Sequence, residues 1–181
     1  MLKKQVLYIV SRLVYRYINM KGWCILMTNT FDGLEMLKIA ILMEEEGRTF
    51  YTNGAKYTTG KLKDFLLATA GQEFLHGEKF LALYNELSSK KDANYDYLFD
   101  PEVTSYLKSL IDNKVFDKIA PPEDAFKDMK SAIEYAIKSE QLTVEVYTKM
   151  YEGIVDGEVK ELLNALIDEE KSHVEEFSKL L

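Results

Sequence analysis

The amino-acid sequence predicts an all-α protein, an antiparallel four-helix bundle in which a long crossover joins two helical hairpins. From Asp32 onward, apolar residues recur with the period of a helix, and no stretch alternates as a strand does. A short polar turn interrupts the pattern once in each half, and short turns place successive helices antiparallel. The two halves also repeat each other at an offset of 96 residues, which aligns Glu44 and Tyr51 with Glu140 and Tyr147.

The size and composition of the chain indicate one globular domain. Its 181 residues suffice for a substantial core, and its 47% hydrophobic and 29% charged residues are typical of soluble proteins. The single cysteine, Cys24, excludes an internal disulfide framework and a cysteine-rich zinc or iron–sulfur site, and it favours a cytoplasmic location. The net charge of −7 argues against nucleic acid as a partner, because no basic groove can neutralise phosphates.

Residues 1–30 are expected to form an extension outside the four-helix domain, which we place at residues 31–181. The extension contains no acidic residue and five basic ones: Lys3, Lys4, Arg12, Arg16 and Lys21. Arg12 and Arg16 interrupt the apolar run of the extension, so no uncharged stretch reaches the roughly 20 residues of a membrane span. One interpretation is therefore a basic amphipathic helix that lies on a membrane surface. The other is a start assigned too early, since Met27 is a plausible start just before the first helix.

The first hairpin is predicted from two helices. The first begins at Asp32, whose side chain can cap it, and ends near Tyr57. A polar turn at 58–60 leads into the second helix, which ends near Ser88. Their inward stripes are Leu37, Ala40, Glu44, Gly47 and Tyr51 in the first helix, and Leu66, Ala70, Glu73, His76, Phe80 and Leu87 in the second.

Residues 89–122 form the long connection between the hairpins. Within it, Asp100 and Pro101 predict the start of a short helix, since aspartate caps a helix and proline fits its first turn. Pro121 and Pro122 predict the end of the connection, because proline does not continue a helix.

The second hairpin is predicted from helices over residues 128–152 and 156–180, with Gly153 and Gly157 bracketing the turn between them. Its inward stripes repeat the mixture of apolar, acidic and histidine residues seen in the first hairpin. They are Ile133, Ala136, Glu140, Val144, Tyr147 and Met150 in the third helix, and Leu163, Leu166, Glu170, His173, Phe177 and Leu180 in the fourth.

The two histidines of the chain each follow a glutamate by three residues, as Glu73 with His76 and Glu170 with His173. A further inward glutamate lies 29 residues before the first pair and 30 residues before the second. Residues three apart share one face of a helix, so each pair can converge on one point. We predict that two metal ions are bound by Glu44, Glu73, His76, Glu140, Glu170 and His173.

Electrostatics favours a metal centre at these positions. Four buried carboxylates without partners would be costly to ionise, and they would raise one another's pKa values. Two divalent cations would balance the four negative charges. Carboxylates with one imidazole for each ion suit iron or manganese. Zinc is a further substitute, although a structural zinc site is less natural without a thiolate ligand. The alternative is a bundle that keeps these residues without binding metal.

Residues beside the six candidate ligands carry less specific signals. Tyr51 and Tyr147 lie two helical turns after Glu44 and Glu140, which favours core packing over a hydrogen bond to a ligand or a role in electron transfer. Thr143 is a third residue that could contact a ligand. Six glutamates fall elsewhere on the helical wheel and indicate a solvated face: Glu45, Glu46, Glu78, Glu169, Glu175 and Glu176.

Residues 32–181 resemble the rubrerythrin family of the ferritin-like superfamily. The resemblance rests on the following residues: Ala40-Ile-Leu-Met-Glu44 with Gly47, Phe50 and Tyr51, Ala136-Ile-Lys-Ser-Glu140 with Tyr147, and the two Glu-x-x-His pairs. It implies a di-iron centre that reduces hydrogen peroxide, or oxidises Fe(II) with peroxide or oxygen, in oxidative-stress defence or iron handling. It also implies that the glutamates of the first and third helices are terminal ligands, that those of the Glu-x-x-His pairs bridge, and that each histidine binds one iron.

Two features depart from rubrerythrins proper. Those proteins carry a further domain with four cysteines that passes electrons to the iron, so the single cysteine here implies an external electron-donor protein. They also carry an extra glutamate one turn after the third-helix ligand, where this chain has Thr143, which favours a simpler six-ligand site. The resemblance further implies a homodimer. A non-catalytic iron-binding protein and a bundle in which metal is only structural are the alternative functions.

Overall fold

The computed structural model describes residues 32–90, 96–111 and 125–181, and in these residues it contains helices and no strand. The helices are α1 (Gly33–Lys56), α2 (Gly60–Lys90), a short 3-10 helix (Asp96–Phe99), α3 (Pro101–Ile111), α4 (Met129–Gly153) and α5 (Gly157–Ser178). The predicted all-α fold with four long helices is confirmed, and the helix ends differ from the predicted ones by two residues or fewer. The predicted N-terminal extension, including Met27 and Cys24, lies outside the described residues.

Aspartates cap three of the four long helices. Asp32 accepts hydrogen bonds from the backbone at the start of α1, and the side chain of Glu35 accepts one from the Asp32 N–H in return. This reciprocal arrangement satisfies two backbone donors that a helix start leaves unpaired. Asp128 and Asp156 cap α4 and α5 by accepting from the N–H three residues further on. Each cap is worth about 1 kcal/mol of helix stability.

The helices pair as two hairpins, α1 with α2 and α4 with α5, and aromatic side chains join the hairpins on both sides. Phe50 of α1 stacks on Tyr135 of α4, with 4.9 Å between ring centroids, and lies 5.0 Å from Phe126 just before α4. Phe65 of α2 meets Phe177 of α5 edge-on at 5.4 Å. Offset and edge-on ring pairs stabilise beyond the area they bury, so these contacts hold the hairpins in register around a shared core.

The part of the crossover that the structure describes packs on the first hairpin. Leu98 and Leu107 are buried, and the Phe99 ring meets Tyr84 of α2 edge-on at 5.3 Å. The ammonium group of Lys38, on α1, lies 3.8 Å from the centroid of the Phe99 ring, which is a favourable geometry for a cation and an aromatic face. These contacts place Phe99 beside the seam between α1 and α2.

None of the helices among the described residues combines the length and apolar character needed to cross a membrane.

Candidate metal centre

Six polar side chains project into the middle of the bundle from its four long helices. They are Glu44 on α1, Glu73 and His76 on α2, Glu140 on α4, and Glu170 and His173 on α5. None of these six side chains is more than 7% exposed, although the interior around them is apolar. Helical spacing explains this convergence, because each residue continues the apolar stripe of its helix. The structure thus buries all six residues that the sequence singles out as candidate ligands.

Glu170 joins two groups of potential metal ligands. Donor atoms of Glu44, His76 and Glu170 lie within 4.8 Å of one another, and so do those of Glu140, Glu170 and His173. The two oxygens of Glu170 face different histidines, with Oε1 at 2.8 Å from Nδ1 of His76 and Oε2 at 3.0 Å from Nδ1 of His173. The histidine rings are nearly parallel, 5.4 Å apart. Glu170 therefore lies between the two histidines and belongs to both groups of potential ligands.

Glu73 lies in the same interior but outside these two groups. Its carboxyl group is close enough to Glu44 to form a hydrogen bond between the two side chains. Oε1 of Glu73 and Oε2 of Glu44 are nevertheless buried without a hydrogen-bond partner in the part of the chain that the structure describes. The structure thus brings five of the six candidate ligands into compact groups and leaves Glu73 against one edge of them.

The electrostatics of the cluster show that its carboxyl groups cannot all be ionised together. Burial raises the pKa of Glu44 to about 7, although the hydrogen bond with Glu73 opposes the rise. Burial, followed by the charges of neighbouring carboxylates, raises the pKa values of Glu73 and Glu140 well above their usual range. Burial also disfavours the charge of Glu170, but contacts with both histidines outweigh it and lower the pKa of Glu170 to about 2.

The protonation of His76 also depends on the neighbouring carboxylates. Burial disfavours the charged form of His76, yet the hydrogen bond with Glu170 and the charges of Glu170, Glu44 and Glu169 together outweigh burial and raise the pKa of His76 to about 9. Without metal, the cluster therefore holds an ionised Glu170 beside a protonated His76, among carboxyl groups that retain protons. A raised carboxyl pKa next to a lowered one is a pattern that concentrates at functional sites.

The residues fit a pair of divalent cations. Carboxylate oxygens and histidine nitrogens are the donor set that iron, manganese and zinc accept in proteins. Two divalent ions would offset the four carboxylates and take the place of the protons held by Glu44, Glu73 and Glu140. The buried unpartnered oxygens of Glu44 and Glu73 are consistent with such ligands, since buried polar atoms normally have partners.

Two buried tyrosines, one from each hairpin, lie beside the cluster. The hydroxyl of Tyr147 donates a hydrogen bond to Oε1 of Glu44, and its ring packs edge-on against Phe80 at 5.5 Å. Tyr51 is fully buried, and the nearby charge of Glu140 adds to burial in raising its pKa well above 10. Tyr147 therefore packs in the core, as the sequence favoured, and also donates a hydrogen bond to a candidate ligand.

Glu169 is a residue whose contact with the cluster the sequence interpretation missed. It was expected on a solvated face, yet its Oε1 lies 3.4 Å from Nε2 of His76, while Oε2 accepts a hydrogen bond from Lys79. It also forms a third group of potential ligands with His76 and His173, although it is 41% exposed. The available signal was its position four residues before His173, which places both on one side of α5. Thr143, the other candidate neighbour, is buried on α4.

A four-helix bundle that buries a carboxylate–histidine cluster with a shared glutamate defines the class of ferritin-like proteins with two-metal centres. The sequence model of the Rubrerythrin family matches residues 35–181, and the chain belongs to this family, whose members typically bind two iron ions. Neither the curated proteins nor the solved structures contain a match to the chain.

Proposed function

We propose that this protein is a di-iron oxidoreductase that reduces hydrogen peroxide, or oxidises Fe(II) with peroxide or oxygen, using electrons from a separate donor protein. The observation that carries the proposal is the position of Glu170, whose two carboxylate oxygens each face one histidine of a two-part cluster. Membership of the rubrerythrin family supports the same chemistry. Reduction of one peroxide molecule to two of water consumes two electrons and two protons, so a two-ion site matches the electron count.

Each half of the cluster would hold one iron ion. Glu44 and His76 would bind the first, Glu140 and His173 the second, and Glu170 both. Glu73, which lies against Glu44, would complete the set. Bound iron supplies one electron per ion and a Lewis acid for cleavage of the O–O bond.

The protein around the cluster would hold the ligands in place and limit their contact with bulk water. Phe80 and Leu66 are fully buried on α2 on either side of the Glu73–His76 pair. Tyr147 holds one oxygen of Glu44, and Glu169 faces the outer nitrogen of His76. Such contacts limit the orientations of the ligands, which lowers the cost of binding a metal ion in a defined geometry.

The decisive experiment loads the protein with Fe(II) without oxygen and mixes it rapidly with hydrogen peroxide or with oxygen. We expect two iron ions per chain and fast oxidation by at least one of the two oxidants. In Glu73→Ala and Glu170→Ala we expect fast oxidation to be lost, whereas Glu175→Ala, an exposed glutamate on α5, should behave as the wild type. Wild-type kinetics in Glu170→Ala would refute the proposal.

The same loading experiment, together with a measurement of stability with zinc and with iron, separates this proposal from the two alternative functions. A non-catalytic iron-binding protein would take up iron but would oxidise it slowly and would not turn over with any reductant. A bundle in which metal is only structural would be stabilised equally by zinc and by iron, with no fast oxidation of the loaded protein.

A further inference from the structure

A pocket of about 310 Å³ lies on the seam between α1 and α2, with Phe99 of the crossover on its wall. Glu44 and Glu73 line it from inside, whereas Glu45 and Glu78 are exposed at its mouth. Among the described residues, this pocket connects the surface of the bundle with two of the candidate metal ligands.

The inner end of the pocket presents two carboxylate oxygens without a hydrogen bond in the described part of the chain, although Oε2 of Glu44 lies 3.7 Å from Nδ1 of His76. Oε2 of Glu44 and Oε1 of Glu73 are buried and make no hydrogen bond within the described ranges. Both residues are more than nine-tenths buried, so open solvent does not compensate these oxygens. Unpartnered oxygens of this kind at the base of a pocket indicate a ligand that arrives through it.

Gly77 lines the pocket without a side chain. A Cβ atom placed there would lie 3.4 Å from Cβ of Glu44, which is ordinary contact, so a larger side chain would extend into the space over Glu44. Gly71, six residues earlier on the same helix, has no atom within 4 Å of its hypothetical Cβ. The two glycines therefore provide a matched pair, one lining the pocket and one facing open space.

The charges around the pocket favour a cation. Glu45 and Glu78 at the mouth outnumber the single basic lining residue, Arg48, whose guanidinium group lies 5.2 Å from the centroid of the Phe74 ring. Glu44 and Glu73 at the inner end would release their protons to a bound cation. A cleft with an excess of one charge raises the local concentration of the opposite ion. Peroxide and oxygen are neutral and would gain nothing from these charges.

We propose that this pocket is the route by which a hydrated divalent cation reaches the two-metal centre. The proposal rests on the proposed function, because it requires that the six interior residues bind metal. Exposed Glu45 and Glu78 attract the ion, Gly77 leaves room for it, and Glu44 and Glu73 are the first buried ligands it meets.

Cobalt(II) alone is the probe, since its visible absorption reports binding and it is not oxidised under these conditions. Uptake is followed by rapid mixing, release by transfer to excess chelator, and affinity and stoichiometry by equilibrium titration. In Gly77→Leu we expect the fast phases of uptake and release to be lost together, with equilibrium affinity and stoichiometry unchanged. Gly71→Leu, which has the same change in composition and helix propensity, should keep wild-type rates.

A second variant tests the same route independently, in case Gly77→Leu does not fold. The double variant Glu45→Gln/Glu78→Gln should slow cobalt uptake about tenfold at low ionic strength, and the difference should vanish in high salt. The control Glu134→Gln/Glu145→Gln removes two exposed glutamates of α4 and should leave uptake unchanged. Equal uptake in the mouth variant and its control, or in Gly77→Leu and Gly71→Leu, would overturn the route alone. Failure of the wild-type protein to bind cobalt would overturn the metal centre and the route together.

Discussion

Tyr147 of α4 donates a hydrogen bond to Glu44 of α1, which lies 103 residues earlier in the chain. The hydroxyl thus comes from one hairpin and the candidate ligand from the other. Tyr51 occupies the corresponding position in the first hairpin and lies close enough to Glu140 for the glutamate charge to raise its pKa. The internal repeat consequently brings one tyrosine from each hairpin to the site, and Tyr147 joins the two hairpins through its hydrogen bond to Glu44.

Tyr147→Phe should weaken metal binding while preserving the fold. The ring can still pack against Phe80, but one oxygen of Glu44 loses its donor. We expect metal affinity to fall about 10- to 100-fold, the usual effect of losing a hydrogen bond to a ligand. The measurement is a competition titration against a chromophoric chelator. Tyr151→Phe, one turn further along α4 beside Lys160, is the control and should retain wild-type affinity.

Glu169→Ala tests whether this half-exposed carboxylate holds the ring of His76. A ligating histidine is usually oriented through its second ring nitrogen, and Glu169 faces that atom of His76. We expect metal affinity to fall about 10- to 100-fold, with partial recovery in Glu169→Gln, which keeps an acceptor oxygen. Lys79→Ala removes the exposed ion pair with Glu169 but leaves the carboxylate, so its affinity should not change. Equal losses in Glu169→Ala and Lys79→Ala would contradict this role.

The metal-free protein should lose stability as the pH rises from about 4.5 to about 9. In the folded state the pKa of Glu44 is raised from 4.5 to about 7 and that of His76 from 6.5 to about 9. Raised pKa values contribute stability that is complete below the unfolded values and is lost as the pH rises through the folded ones. Thermal unfolding in chelator across this range measures the effect, and a melting temperature that rises toward pH 9 would contradict it.

The stability of the metal-free protein should also fall at acidic pH, because of Glu170. Its pKa is lowered to about 2 in the folded protein, so it contributes stability above 4.5 that is lost as the pH falls toward 2. Stability of the metal-free protein should therefore be greatest at about pH 4.5 to 5, between the acidic loss at Glu170 and the alkaline loss at Glu44. Glu170→Gln should flatten the acidic side of the profile, whereas Glu175→Gln should not.

Bound metal should reverse the alkaline loss of stability. Metal ions bind the deprotonated ligands, so their affinity rises with pH while the protons leave. At a free metal concentration of about a thousand times the dissociation constant, the free energy of unfolding should rise by about 4 kcal/mol. Denaturant titrations at pH 8 with and without zinc or manganese measure this gain. A gain that survives in Glu170→Ala would show that the metal binds elsewhere.

Gly54→Ala should destabilise the junction between the hairpins. A Cβ atom at this position of α1 would lie 2.6 Å from a ring carbon of Phe126, which precedes α4. Because Phe126 also packs on Phe50, the ring cannot move away freely, and we expect a loss of about 1–3 kcal/mol. Gly71→Ala in open helix should instead stabilise by about 0.5–1 kcal/mol. Chemical denaturation measures both, and equal changes in the two variants would contradict the packing argument.

Local patterns explain why so much of the helical architecture was predictable. The start of α1 follows from Asp32 and Glu35, which form a cap within one turn, and the apolar period marks the inward face of each long helix. The same period places Glu73 and His76 on one interior face. These relationships span three or four residues of one helix, so knowledge of how the helices pack is not needed to find them.

Contacts between helices could not be obtained in this way. Glu169 and His76 lie on different helices, and helical-wheel position alone assigned Glu169 to the surface because the wheel carries no information about the neighbouring helix. The hydrogen bond from Tyr147 to Glu44 likewise depends on how far the two hairpins are shifted along each other. A translation of one helical turn, about 5.4 Å, would break either contact while leaving the apolar periodicity unchanged.

Periodicity and spacing in the chain were therefore enough to establish four inward-facing helices and the six polar residues that they bury. Tertiary packing decided how those six are arranged: Glu170 between the two histidines, Glu73 at the edge against Glu44, and a pocket beside Gly77 that reaches both glutamates. The physical reason is that burial is a property of a helix face, whereas ligand geometry depends on distances of 3–5 Å between faces. Those distances are set by the aromatic contacts and close approaches that join the hairpins.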